Sequence, residues 1–385
     1  MEVVDAQMLR YDEFCARFLA TNTPVKLRNV ASKWFQVADA QWRCGHDGSI
    51  NFDALKAKYG HAQVPVVDGD VVEYGAEART TMRFDEYLAL LQKNDAGKRY
   101  LKDWHFVHAF PDQPVYTTPT FFEDDWLNWW WDRQEQSGDD YRFVYIGPAG
   151  SWTPMHHDVF RSYSWSVNIT GRKEWIFFHP DEEWKLKDRF GRYVIPDVTM
   201  EDVDRTQFPH VHEATPIHVT QEAGEAIFVP SGWYHQVKNV EATISINHNW
   251  FNGYNLDQLW QFFQREYGAV ENELEDLKEL GLVGREFKDQ CQVVMKANTG
   301  INYIEFRAML YSKAHELLTT RWKQHEVEVS QGTMMFDQDL RAHLSTLCRV
   351  LSDLTVYFRD EEAPAPQHSN EEWILVDKLL EELRE

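Results

Sequence analysis

Between Tyr141 and Phe251 the chain breaks into short apolar runs, each closed by a glycine or proline turn, and this rhythm restricts the fold more than any other feature. Short antiparallel strands separated by turns are what a double-stranded β-helix, or jelly roll, requires, because each strand hides its apolar side chains by stacking on a second sheet. A 43% hydrophobic content over 385 residues supports a substantial core. The 16 Trp, 16 Tyr and 23 Phe supply large side chains to fill it or to line a pocket. The expected class is α+β with a mainly β core.

The flanks read differently. Apolar positions 11, 14, 15, 18 and 19 predict a helix over 8–20, residues 24–30 alternate as a strand, and 51–60 form a helix with an Asn cap and a Gly stop. Asp68-Gly-Asp70 between two Val-rich runs predicts a hairpin turn, followed by a helix over 82–91. In 124–133 the side chains of Trp126, Trp129 and Trp130 share one helical face, for packing or for a substrate-facing wall. Residues 181–215 are polar and turn-rich and read as an insertion; beyond Asn255 the pattern is helical, with a Pro-rich linker at 363–369 before a last helix over 370–384. The expected organisation is an N-terminal α/β region over 1–115, a β core over 116–254 and a helical region over 255–385.

A net charge of −23 repels phosphates and attracts basic peptides, so it argues against direct nucleic-acid binding and for a protein partner. Cys15, Cys44, Cys291 and Cys348 have no zinc-finger spacing, which fits a reducing compartment. No stretch approaches the ~18 apolar residues of a membrane span, and no secretory leader is visible at the start; a cytoplasmic location is expected.

Chemistry concentrates in Trp152-Thr-Pro-Met-His-His-Asp158. In a strand, side chains two apart share a face, so His156 and Asp158 point to one spot while His157 points away. His235, following the Pro-Ser-Gly turn signal, is the candidate for a third ligand. Two His and one Asp on one side of a metal leave the opposite positions open, which suits Fe(II). A lone His-x-Asp is common and usually structural; Lys173 adds weight, because it begins an apolar strand and a buried ammonium needs an anionic partner. His210-Val-His212 is a second same-face pair, without an evident carboxylate or Cys partner.

The segments Arg142-Phe-Val-Tyr-Ile-Gly-Pro-Ala-Gly-Ser-Trp152, Phe160-Arg-Ser-Tyr-Ser-Trp165, Gly171-Arg-Lys-Glu-Trp175, Glu222 through His235, and Thr243-Ile-Ser-Ile-Asn-His-Asn-Trp250 together resemble the JmjC-domain Fe(II)/2-oxoglutarate oxygenases, strongly over roughly residues 100–265. The resemblance implies a cupin-like core holding Fe(II) through His156, Asp158 and His235, with 2-oxoglutarate and O2 as cosubstrates. It implies that Lys173 meets the far carboxylate of 2-oxoglutarate and that Thr153, Tyr145, Ser166 and Asn247 line its pocket. Within the family these segments look most like the lysyl hydroxylases of the eukaryotic translation release factor, so a lysine of that protein is the expected substrate. Two other readings stay open: N-methyl-lysine demethylation on the same centre, and a non-catalytic cupin-fold binding protein. The oligomeric state is not legible.

Overall fold

The computed structural model describes residues 1–73, 76–134, 140–322 and 338–359. The Pro-rich segment 363–369 and the helix expected over 370–384 lie outside the described residues. Five strands come from the N-terminal region: β1 (Glu2–Asp5), β2 (Val25–Arg28), β3 (Gln63–Glu73), β4 (Ala76–Arg83) and β5 (Arg99–Trp104). Eight occupy the turn-punctuated stretch: β6 (Arg142–Gly147), β7 (Trp152–His156), β8 (Tyr163–Thr170), β9 (Lys173–Phe178), β10 (Ile217–Gln221), β11 (Ala226–Val229), β12 (Tyr234–Asn239) and β13 (Thr243–Trp250).

Those eight form a jelly roll. One sheet runs β10-β9-β12-β7; the other contains β11-β8-β13-β6 and is widened at both edges by the N-terminal strands, giving β1-β2-β11-β8-β13-β6-β5-β3-β4. Alternation sorts β9 and β11. Trp175 and Phe177 of the small sheet meet Ile227 and Val229 of the large one across the interior, with Trp233 beside them. On the outer face of the large sheet Trp165, Phe228 and Trp250 pack under the N-terminal region, where Phe122 stacks on Trp165 at 5.4 Å and Phe14 meets Phe228 edge-on at the same spacing. Burying such rings stabilises by roughly 1.5–3 kcal/mol each, which ties the lead-in to the barrel.

The insertion after β9 is ordered by packing rather than by repeating structure. Leu186, Ile195 and Phe208 cover Met155, Ile176, Phe178 and Tyr234 on the outer face of the small sheet. Pro196 O accepts from Met155 N (2.8 Å), one residue before His156.

Two local expectations are corrected. β3 runs through Asp68-Gly-Asp70, where a turn was expected: the pairing with β4 slips between Asp68 and Val72, so the extra residues are absorbed as an irregularity in the ladder. The helix expected from 82 begins at Phe84, because Met82 and Arg83 pair with Val64 and Gln63 as the end of β4. The first helix is short, Tyr11–Phe14 passing into a π-helical turn over Cys15–Leu19; Phe14, Cys15, Phe18 and Leu19 are buried and Tyr11 is exposed. Of the four tryptophans in the helix Trp126–Trp131 only Trp126 is fully buried, while Trp129 lines a cavity of about 420 Å³.

The chain divides into two compact units: Met1–Asp158 with Ser162–Trp250, and Val159–Arg161 with the described residues from Phe251 on. The second unit is helical, with long helices at Leu256–Glu273, Gly284–Thr299, Tyr303–Glu316 and Gln338–Arg359. Asn302 and Glu305 form a capping box at the start of the third, and Phe263, Tyr267, Tyr303 and Phe306 share its core.

Candidate active site

The site is assembled on the face that the small sheet turns to the interior. His156 ends β7 and is the cross-strand partner of His235 on β12; their rings lie 4.3 Å apart. Asp158 stands two residues beyond the end of β7, and ligand atoms of His156, Asp158 and His235 all lie within 4.8 Å of one another. Each imidazole is oriented by backbone. His156 Nδ1 is 2.7 Å from Pro154 O and His235 Nδ1 is 3.1 Å from Trp233 O. A carbonyl only accepts, so each Nδ1 carries the proton and each Nε2 presents a lone pair. Burial, reinforced by His156 and opposed by Asp158, pushes the His235 imidazole down to about 4, which keeps it neutral and able to ligate.

The carboxylate is held as firmly. Ser164 Oγ donates to Asp158 Oδ2 (2.7 Å), and Asn249 Nδ2 donates to Oδ1 (3.0 Å) and to Ser162 Oγ (3.3 Å). Two neutral imidazoles and an oriented carboxylate, with no thiolate among them, fit a divalent ion such as Fe(II) that needs open positions. His157 turns away: its ring meets Tyr234 edge-on at 5.1 Å.

Thr153 reaches this face through an irregularity. Thr153 and His156 are three apart, so plain alternation would put them on opposite faces; β7 places Pro154 and Met155 against the single residue Gln236 of β12, and Thr153 stands opposite Val237. Lys173 opens β9 opposite Asn239, four residues along β12 from His235, which is about 13 Å of strand. It is 2% exposed, and its Nζ donates to Asn239 Oδ1 (2.8 Å) and Tyr100 Oη (3.1 Å). Among the described residues no carboxylate pairs with it.

From the large sheet, Ser166 pairs with interior-facing Ile227 and with Asn247, and Tyr145 pairs with Ser245, so all three sequence-predicted residues face the interior. Ser166 Oγ is buried without a hydrogen-bond partner among the described residues. Asn247 Nδ2 donates to Ser245 Oγ (3.2 Å). Tyr145 donates to Asp103 Oδ1 (2.8 Å); burial, then that carboxylate, hold its phenol well above the usual range.

Sequence reasoning missed Asn239, Asn249, Ser164 and Tyr100. It did not single out Cys44, His46 and Asp47 either, whose ligand atoms also cluster within 4.8 Å, but on an exposed loop where Asp47 Oδ1 is engaged by Ser49 N and Oγ. His210 Nδ1 lies 3.0 Å from Glu213, and the His210/His212 pair joins neither cluster.

Residues 11–255 match the family of cupin-like domains. The chain is 47% identical over 268 residues to the chicken (Gallus gallus) protein 2-oxoglutarate and iron-dependent oxygenase JMJD4, which covers 67% of this chain and 62% of that protein. It is 37% identical over 392 residues to the human (Homo sapiens) protein of the same name, covering 97% of this chain and 88% of the relative. It is also 36% identical over 369 residues to an Arabidopsis thaliana protein named Arginine-specific demethylase JMJ20, covering 91% and 78% respectively. With a jelly-roll core, a His-Asp-His cluster inside it and relatives of this kind along most of its length, the chain belongs to the cupin-like JmjC family of 2-oxoglutarate- and iron-dependent oxygenases.

Proposed function

We propose that the protein hydroxylates a protein substrate on carbon, and that its target is a lysine of the eukaryotic translation release factor. The observation that carries the oxygenase part is the joint presence, on one interior face, of the His156/Asp158/His235 cluster and of a buried lysine whose partners are all neutral. A charge left without a counter-charge in a shielded pocket calls for an anionic ligand. When bound, Fe(II) with 2-oxoglutarate and O2 supplies the family's chemistry: oxidative decarboxylation to succinate and CO2, coupled to hydroxylation of a substrate C–H.

The chain's own residues do the rest. His156, Asp158 and His235 would hold the metal through three of its positions, leaving the others to cosubstrates. Ser164 and Asn249 keep the carboxylate from rotating, and the carbonyls of Pro154 and Trp233 keep both Nε2 atoms aimed inward. Lys173 receives the far carboxylate of 2-oxoglutarate, with Thr153, Tyr145, Ser166 and Asn247 along the pocket. Trp175, Phe177, Ile227 and Val229 exclude water behind it.

The substrate assignment rests on likeness and on charge: an acidic chain with net charge −23 favours encounter with a basic segment. N-demethylation on the same centre is the second reading, supported by the name of the Arabidopsis relative. One experiment separates them: incubation with Fe(II), 2-oxoglutarate, O2 and recombinant release factor, followed by peptide mass mapping. A gain of one oxygen on a release-factor lysine is expected. Methyl loss from methylated peptides, with that lysine unmodified, would overturn the assignment.

A further inference from the structure

The hydrogen bonds around Lys173 run in one direction. An ammonium only donates, so the amide oxygen of Asn239 must face it, and the amide nitrogen must face Ser151. Asn239 Nδ2 donates to Ser151 Oγ (2.8 Å), and Ser151 Oγ in turn donates to Pro148 O (2.6 Å). The backbone of Asn239 is fixed as well: its N donates to Ser151 O (2.9 Å) and its O accepts from Gly150 N (2.7 Å). Asn239 is 1% exposed and Ser151 fully buried. The network needs the bare backbone of Gly147, where a Cβ would come within 2.5 Å of Ser151 Oγ and 2.7 Å of Asn239 Nδ2.

This arrangement fixes the ammonium without neutralising it. An aspartate at position 239 would have the same shape and would also accept from Nζ, but it would cancel the charge and lose the donor to Ser151. We propose that Asn239, braced by Ser151, is a positioning residue for Lys173: it holds the ammonium in place through a neutral acceptor, so that the positive charge stays available to the distal carboxylate of a dicarboxylic 2-oxo acid. Selectivity for a dicarboxylate over a monocarboxylate then depends on an amide whose oxygen is engaged by Lys173 and whose nitrogen is engaged by Ser151. The inference rests on the reading of Lys173 given above.

The test is calorimetric binding to the metal-loaded, oxygen-free protein, with 2-oxoglutarate and with 2-oxopentanoate, which has the same chain length but no distal carboxylate. Asn239→Asp is expected to weaken 2-oxoglutarate binding by about ten-fold or more, the scale of a lost charge-assisted contact. Binding of 2-oxopentanoate should change by less than about two-fold, because the charge-assisted contact is absent from that complex. Ser151→Ala, which loosens the amide without adding charge, should give a smaller loss for 2-oxoglutarate alone. Unchanged 2-oxoglutarate binding in both variants overturns the proposal, as does equal weakening of the two acids, which would mark Asn239 as a structural residue only. If Lys173→Ala itself binds 2-oxoglutarate like the unsubstituted protein, the reading of Lys173 is what fails.

Discussion

His156 and His235 stand opposite each other on antiparallel strands, 4.3 Å apart ring to ring, and each ties its Nδ1 to the carbonyl two residues before it, Pro154 and Trp233. The same local device, used on both strands, fixes two tautomers without any side-chain partner. The imidazoles are therefore ready to ligate before a metal arrives.

That readiness costs stability in acid. The His235 imidazole is pushed down to about 4, chiefly by burial, whereas an unfolded histidine titrates near 6.5. Between those values the unfolded chain binds the extra proton, so the metal-free protein loses stability as pH falls from about 6.5 to about 4 and is unaffected by this group above that window. Thermal melts of metal-free protein across pH 7.5 to 5 should show the loss, and His235→Asn should flatten part of it. Parallel slopes in the two proteins would contradict the assignment of the acid sensitivity to His235.

Lys173→Ala should weaken 2-oxoglutarate binding by one to two orders of magnitude, corresponding to roughly 1.5–3 kcal/mol for a charge-assisted contact in a shielded pocket. Metal binding should be unchanged, since the His-Asp-His cluster is built from other side chains. Titrating metal and cosubstrate separately on the same variant checks both statements.

Leu186 is fully buried in the insertion, in the cluster that covers Met155. Leu186→Ala should cost about 2–5 kcal/mol by leaving a cavity. Because the insertion also bonds to β7 beside His156, the variant should show faster amide exchange at Met155 as well as over 181–215, and weaker metal binding. Exchange confined to the insertion would show that it does not brace the site.

Strand alternation made much of this centre legible. It correctly paired His156 with Asp158 and sent His157 to the other face, although Asp158 itself lies past the strand end. The same rule could have found Asn239, four residues after His235, and Asn249, two after Asn247, since both sit on the interior face of their strands. Tyr100 carried no such signal: it meets Lys173 from a strand 73 residues earlier. The irregularity that turns Thr153 inward was invisible because it depends on the pairing partner, not on the residues of β7 alone. The insertion read as polar loop because Leu186, Ile195 and Phe208 follow no helical or strand period, yet they pack as a core. The misplaced hairpin has a similar cause, since Asp68-Gly-Asp70 serves an irregular ladder as well as it would serve a turn.

The central claim is that His156, Asp158 and His235 hold the iron through which 2-oxoglutarate is consumed. Its most direct test is the conversion of 2-oxoglutarate to succinate by the unsubstituted protein and by Asp158→Ala, with Fe(II) and O2 supplied and folding checked by thermal melt. Succinate formation by the first and its loss, with the fold retained, in the second is the predicted result. A comparable rate of succinate formation in Asp158→Ala would contradict it.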